Sequence, residues 1–317
     1  MFSSALLSAS LAAAQTKRLP RVGYLFSFTA EEGRHLWEAC RAGLRDLGYE
    51  EGRNILLEPR WAGGRHERLP ALVAELTKLK VDVIVSAATP ASIAAKTGAG
   101  TIPIVIVAVA DPVRIGLVAS FARPGGNMTG ISLLTPELSG RRLQLMTEIL
   151  SRPTRIAILA NPVNVSHAVF LDESLAAARQ IGVQIQALNA RDAGDLERAF
   201  LEATKGNAEA LVVFDDPVIW SLRKQVVALA SKARLPAMYG YSEFVDEGGL
   251  ISYGPHRPDL YRRTASYVDR ILKGTAPAEL PIERPSRFEL YVNVKTAKSL
   301  GLAIPRSILA NADRVIE

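Results

Sequence analysis

The sequence predicts an α/β fold built from two successive, doubly wound parallel-sheet units. Three observations carry that prediction. Short apolar runs alternate with amphipathic helical segments from Arg21 onward, the signature of β-α-β crossovers. The alternation breaks after Leu150 and restarts at Arg155, as if a second unit began there. Four strand ends run into a polar residue followed by proline: Thr89-Pro90, Asp111-Pro112, Asn161-Pro162 and Asp216-Pro217. Proline is tolerated at the first helical position, so each pair reads as a helix entrance, with the polar residue as a cap.

Within the first unit, Arg21–Phe26 is a strand ending at Ser27-Phe28-Thr29. The following helix places Leu36, Cys40, Leu44 and Leu47 on one face and stops at Gly48. A second strand, Asn54–Arg60, leaves through Trp61-Ala-Gly-Gly64. Leu69, Leu72, Val73, Leu76 and Leu79 mark the next helix. Asp82–Ser86 is the third strand and Ile104–Val109 the fourth. The fourth has no polar alternation, which suits a parallel strand covered on both faces. Thr129–Leu134 closes the unit.

The second unit repeats the scheme with strands at Arg155–Ala160, Val183–Leu188, Ala210–Phe214, Leu235–Tyr239 and Gly249–Gly254. A helix from Pro258 to Leu272, a proline-rich link over 277–285, a strand at Phe288–Asn293 and a helix at Lys295–Leu300 follow. Those late elements allow the chain to recross between units. Trp220 falls within a helical stretch and is assigned to packing.

A chain of 317 residues exceeds what one core usually serves, so two domains are expected. Apolar residues are 48% and charged residues 22%, the balance of a globular protein. The formal charge of +6 invites a nucleic-acid reading. Lys and Arg are interspersed with Asp and Glu, however, and no nucleic-acid-binding signature is present, so none is expected as a partner. The single cysteine, Cys40, excludes an internal disulfide and belongs on an apolar helix face. The apolar run Ala5–Ala14, closed by a small-x-small triplet, is too short to span a bilayer. Residues 1–14 are therefore expected to be a clipped export signal, although its basic start is missing.

Familiar catalytic signals are absent. No GxGxxG, P-loop or GxSxG occurs, and His35, His66, His167 and His256 share no ligand spacing. No cofactor, metal or catalytic residue is assigned. Asp215-Asp216 are adjacent, so their side chains diverge instead of sharing a proton.

A cleft between two α/β lobes is a common small-molecule site, and ligands of open α/β sheets sit at the carboxyl ends of the strands. The first unit offers Ser27, Phe28, Thr89, Pro90, Ala110 and Asp111 there. The second offers Asn161, Asn164, Asp215, Asp216 and Tyr239. Hydroxyls and helix N-termini suit a carboxylate, an Asp suits an ammonium, and Phe28, Trp61, Tyr239 and Tyr253 would supply flat apolar walls. Each has a plain alternative, as a cap or as core.

The runs RVGYLF, GLRDLGYEEGRNILLEPRWAGG, KVDVIVSAATPASIAAK, TIPIVIVAVADPVRIGLVASFARPGGNMTGIS, FVDEGGLISYG and LYRRTASYVDRILKG resemble the solute-binding proteins of ABC transporters of the tryptophan/tyrosine type. The resemblance runs from Arg21 to the end of the chain. It implies a type I periplasmic binding fold with three crossings between lobes. The lobes would be residues 20–132 plus 253–288, and 133–252 plus 289–317. It implies bending near Gly130–Leu134, Ser252–Gly254 and Phe288–Val292, and pocket roles at the four polar-proline pairs and at Tyr253-Gly254. It further implies a monomeric periplasmic receptor that captures an amino acid or small carboxylate without catalysis and passes it to a membrane permease. With no lipoprotein cysteine after the apolar run, a soluble form is implied. Two alternatives are a nucleotide-sugar enzyme on a similar frame and the effector-binding domain of a regulator.

Overall fold

The computed structural model describes residues 18–133 and 135–317, with the side chains of 135–137 outside the description. The expected export signal lies outside the described residues. The first sheet holds β1 (Arg21–Phe26), β2 (Leu56–Trp61), β3 (Val83–Ala87), β4 (Ile104–Val109) and β5 (Met128–Ser132) in the order β2-β1-β3-β4-β5. All its pairings are parallel. β4 is buried at every position, as its unbroken Val/Ile run requires. β2 is half-buried throughout and holds Pro59, which a sheet edge tolerates because no ladder donor is needed there.

The second sheet contains β6 (Arg155–Ala160), β7 (Gln184–Asn189), β8 (Ala210–Val213), β9 (Ala237–Tyr239), β10 (Ile251–Pro255), β11 (Phe288–Asn293) and β12 (Arg314–Ile316). Their order is β12-β11-β10-β9-β8-β6-β7. Only the β10–β11 pair is antiparallel among these. β12 was not anticipated: three partly exposed residues are too few to show a period.

The chain leaves the first sheet after β5, fills most of the second sheet, and returns through the helix Arg257–Leu272. That helix packs on the helix Arg34–Asp46 of the first unit. Gly43 permits the close approach, since a Cβ there would overlap the Arg262 carbonyl. Residues 282–283 then bond beside β5, with Glu283 N–H donating to the Gly130 carbonyl at 2.9 Å and the Glu283 carbonyl accepting from Ser132 N–H at 2.9 Å. The chain next crosses back into β11. Cys40 is fully buried in this packing, and burial is the main reason its thiol is pushed up to about 12. It is a core residue in an inert state.

Candidate ligand-binding site

The carboxyl ends of both sheets meet at the junction of the lobes. Thr89, Ala110, Asn164 and Asp215 from the sequence inventory line one cavity of about 10 Å³, together with Ala88, Ala108, Leu133, Ser166, Phe170, Pro217 and Tyr241. The lobes touch directly around it. Ser166 Oγ donates to Thr89 Oγ1 at 2.9 Å, Ser221 Oγ to Glu32 Oε2 at 3.0 Å, and Phe28 meets Trp220 edge-on at 5.0 Å.

On the first lobe, two alanines hold left-handed backbone at this cavity: Ala88 with φ 73° and Ala108 with φ 59°. Such a conformation costs a non-glycine residue about 1–3 kcal/mol and concentrates at functional sites. Ala108 sits where the β4–β5 register shifts, so a bulge turns the end of β4 toward the junction. Ala88 launches the helix Thr89–Gly98, which no side chain caps. Thr89 is therefore its first helical residue, with Pro90 second, and its hydroxyl accepts from Ala110 N–H at 3.4 Å.

Asp111-Pro112 departs from expectation. Asp111 Oδ1 accepts from Val113 and Arg114 N–H, both at 3.0 Å, but no helix follows. The chain curls out at Gly116, φ 75°, so the geometry is a capped turn only. Asn161-Pro162 likewise opens a turn, and the helix starts only at Ser166. Ser27 is buried and donates to the Ala87 carbonyl at 3.2 Å, tying β1 to β3.

On the second lobe, Asp216 does what its sequence pattern implied. Its Oδ1 accepts from Val218 and Ile219 N–H at 2.9 and 3.1 Å, capping the helix Pro217–Ser221. The same oxygen accepts from Asn161 Nδ2 at 3.2 Å, and Oδ2 from Asn164 Nδ2 at 2.9 Å. The asparagine carbonyls are engaged as well, by Val163 and Ser166 N–H. His167 locks this network. Its Nδ1 accepts from Asn161 N–H at 2.8 Å, which leaves Nε2–H to face the Asp215 carbonyl at 3.3 Å. Burial lowers the His167 pKa despite the nearby Asp216 and Asp215 charges, and holds the ring neutral.

Asp215 is arranged differently. Its Oδ2 pairs with Arg142 Nη2 at 3.0 Å, while Oδ1 has no hydrogen-bond partner among the described residues. Arg142 Nε donates to the Tyr253 carbonyl at 2.8 Å. Both charged side chains are 1% exposed. They fit because Gly240 has no side chain: a Cβ there would overlap Asp215 Oδ1.

Three expected wall residues lie elsewhere. Tyr239 stacks on Phe244 at 4.6 Å beside the helix Arg223–Lys232, away from the cavity. Tyr253 stacks on Phe288 at 6.1 Å, and Trp61 on Phe26 at 4.1 Å. Sequence reasoning missed Arg142, Ser166, Tyr241 and Arg257. Tyr241 alone carried a signal, two residues past a strand end and so on the junction side. Arg257 lies against the rings of Trp220 and Tyr241, with its carbon 4.3 and 4.1 Å from their centroids, and pairs with Glu243 at 2.9 Å. Burial acts to raise the Glu243 pKa, but Arg257 and His35 outweigh it and bring it to about 2.

No helix among the described residues is long and apolar enough to cross a membrane. A tyrosine-binding protein of Clostridioides difficile (strain R20291) is 25% identical over 260 residues, covering 82% of this chain and 74% of that protein. A Streptococcus pneumonia ABC domain crystallised in complex with L-Trp superposes with a TM-score of 0.88 at 23% identity, over 94% of this chain and 100% of the other. The ligand-free, open structure of a substrate binding protein with adhesive properties from Clostridium difficile gives 0.69 at 22% identity, over 94% and 99%. The sequence profile described as ABC transporter substrate binding protein matches residues 35–316, so this chain belongs to that family, whose members bind solutes and are not enzymes.

Proposed function

We propose that this chain is an exported receptor whose lobes close on an amino acid and deliver it to an ABC permease. One observation supports this most directly. Across the same small cavity, the uncapped helix start at Thr89 faces the half-paired carboxylate of Asp215. Free N–H groups suit the ligand's carboxylate, and Asp215 suits its ammonium. Relatives described as binding tyrosine and L-Trp support the amino-acid class. The better superposition on the L-Trp complex than on the open, ligand-free structure supports reading this arrangement as closed. Opening would pivot where the chain changes lobes, after β5, between β10 and Arg257, and before β11. A periplasmic location rests on the apolar N-terminal run, and the permease on family membership. The test is thermal unfolding and native mass spectrometry of unrefolded protein with a panel of amino acids and small carboxylates. A ligand that binds only the folded form raises the melting temperature. No shift with any α-amino acid, and no copurified ligand, would overturn the reading.

A further inference from the structure

The Glu32 carboxylate bonds both its own turn and the opposite lobe. Within the first lobe it closes a capping box with Thr29, in the turn that leads into the helix Arg34–Asp46. Glu32 N–H donates to Thr29 Oγ1 at 3.2 Å, while Glu32 Oε2 accepts from Thr29 N–H at 3.1 Å and from its hydroxyl at 2.8 Å. These bonds are local, so they hold the carboxylate in place whether or not the second lobe is near. From that lobe, Ser221 Oγ donates to the same Oε2 at 3.0 Å, and Arg223 Nη1 lies 3.7 Å from Oε1. Neither Glu32 nor Ser221 lines the cavity beside Asp215. Ser221 ends the helix Pro217–Ser221, whose first residue, Pro217, does line it. Five helical residues rise about 7.5 Å, so one short element joins the cavity to the contact. Glu32 and Arg223 are largely shielded, with side chains 15% and 19% exposed. Arg114 and Glu173 also pair across the lobes, at 2.5 Å, but both are exposed. A pair of that kind contributes little, because water screens it and two long side chains must be ordered.

We infer that Glu32 is a latch, a positioning residue preset by its own turn, which receives Ser221 when the lobes close and slows the ligand's escape without touching it. This rests on the receptor reading above, though not on which amino acid is bound. A ligand seated against Asp215 and Pro217 brings Ser221 to an acceptor that is already in position, so little side-chain ordering opposes the contact. The bond forms only after encounter, and its loss belongs to dissociation, where most affinity differences between related complexes lie.

Stopped-flow association and dissociation rates of the full chain test this, with L-tyrosine or, failing that, the α-amino acid that raises the melting temperature most. The variants are Ser221→Ala, Glu32→Gln, their double, and Arg114→Gln as the exposed-pair comparison. Ser221→Ala removes the cross-lobe donor and leaves the capping box intact, so its unfolding midpoint should hold. Its dissociation rate is expected to rise about fivefold or more, with association within about twofold of wild type. The double variant should dissociate clearly more slowly than the product of the two single effects. Arg114→Gln should change either rate by less than about twofold. An unchanged dissociation rate in Ser221→Ala, an equal fall in association, or fully multiplicative effects in the double variant would overturn the latch and leave the receptor reading intact. Binding by no α-amino acid would remove both.

Discussion

Arg142 Nη2 lies 3.0 Å from Asp215 Oδ2, with both side chains almost wholly shielded from water and a second bond from Arg142 Nε to the Tyr253 carbonyl. The pair joins the helix Thr135–Leu150 to the end of β8 and the middle of β10, three pieces of chain that meet only in the folded second lobe. A buried pair is weak evidence of net stabilisation, because desolvating both charges offsets much of their attraction. Removing one partner is another matter. Arg142→Leu would strand Asp215 in a dry site, and a loss of about 3–5 kcal/mol is expected by chemical denaturation. The double variant Arg142→Leu with Asp215→Leu should lose clearly less than the sum of the singles. Additive losses would mean that the two charges are not coupled.

Gly240 and Gly140 should respond to alanine in opposite directions. A Cβ at Gly240 overlaps Asp215 Oδ1 and crowds Arg142, so Gly240→Ala is expected to cost about 1–3 kcal/mol and to weaken the ligand. Gly140 lies within the helix Thr135–Leu150, where a Cβ would make an ordinary 3.5 Å contact with Ala177. Gly140→Ala should therefore gain about 0.5–1 kcal/mol from helix propensity. Denaturant midpoints for the two variants decide it, and a shift of the same sign in both would contradict the packing described around Gly240.

The same dipeptide pattern behaves differently at two strand ends, which marks how far the sequence could be read. Asp216-Pro217 caps a helix, whereas Asp111-Pro112 makes only a turn. The local signal is shared, and what differs is downstream, where Gly116 turns the chain away after Asp111. The strands were legible because runs such as Ile104–Val109 have no other use than a doubly covered sheet. Arg142 was not legible. Its neighbour Arg141 is 46% exposed, and nothing in the two letters tells them apart. The notch that receives Arg142 is made by Gly240 and Gly254, about a hundred residues further along the chain.

Histidine 167 gives the fold a pH dependence on the acid side of neutrality. Burial lowers its pKa in the folded protein, while the unfolded chain takes the ordinary value of about 6.5. As pH falls below that value the unfolded state binds a proton that the folded state refuses, so stability must drop. The slope from this one group cannot exceed about 1.4 kcal/mol per pH unit. His167→Gln is expected to flatten the curve between pH 6.5 and 5. An unchanged slope in that variant would assign the dependence to other groups.

Glu243 acts in a separate window. Its folded pKa of about 2 lies below the ordinary 4.5, so its contribution is complete above 4.5 and is lost as pH falls toward 2. That difference corresponds to about 3 kcal/mol in order of magnitude. Glu243→Gln should lower stability at pH 7 and also reduce the further loss seen between pH 4.5 and 3, measured by urea midpoints across the range. If the variant keeps the full acid limb, the Arg257–Glu243 pair does not carry it.

Asp215 and Asp216 should separate ligand recognition from helix capping. Both oxygens of Asp216 are engaged within its own lobe, Oδ1 by Val218, Ile219 and Asn161 and Oδ2 by Asn164, and the residue is buried, which favours a capping role over contact with a solute. Asp216→Asn is therefore expected to cost about 1 kcal/mol or more of stability and to weaken an amino acid and its deaminated carboxylic acid by similar factors. Asp215 keeps one unpaired oxygen beside the cavity. Asp215→Asn removes the charge with little change in shape, and the amino acid should lose at least tenfold more affinity than the deaminated acid. Titration of both variants with both ligands gives four affinities. Selective loss of the amino acid in Asp216→Asn, with none in Asp215→Asn, would transfer the ammonium to Asp216 and make Asp215 the structural partner of Arg142 alone.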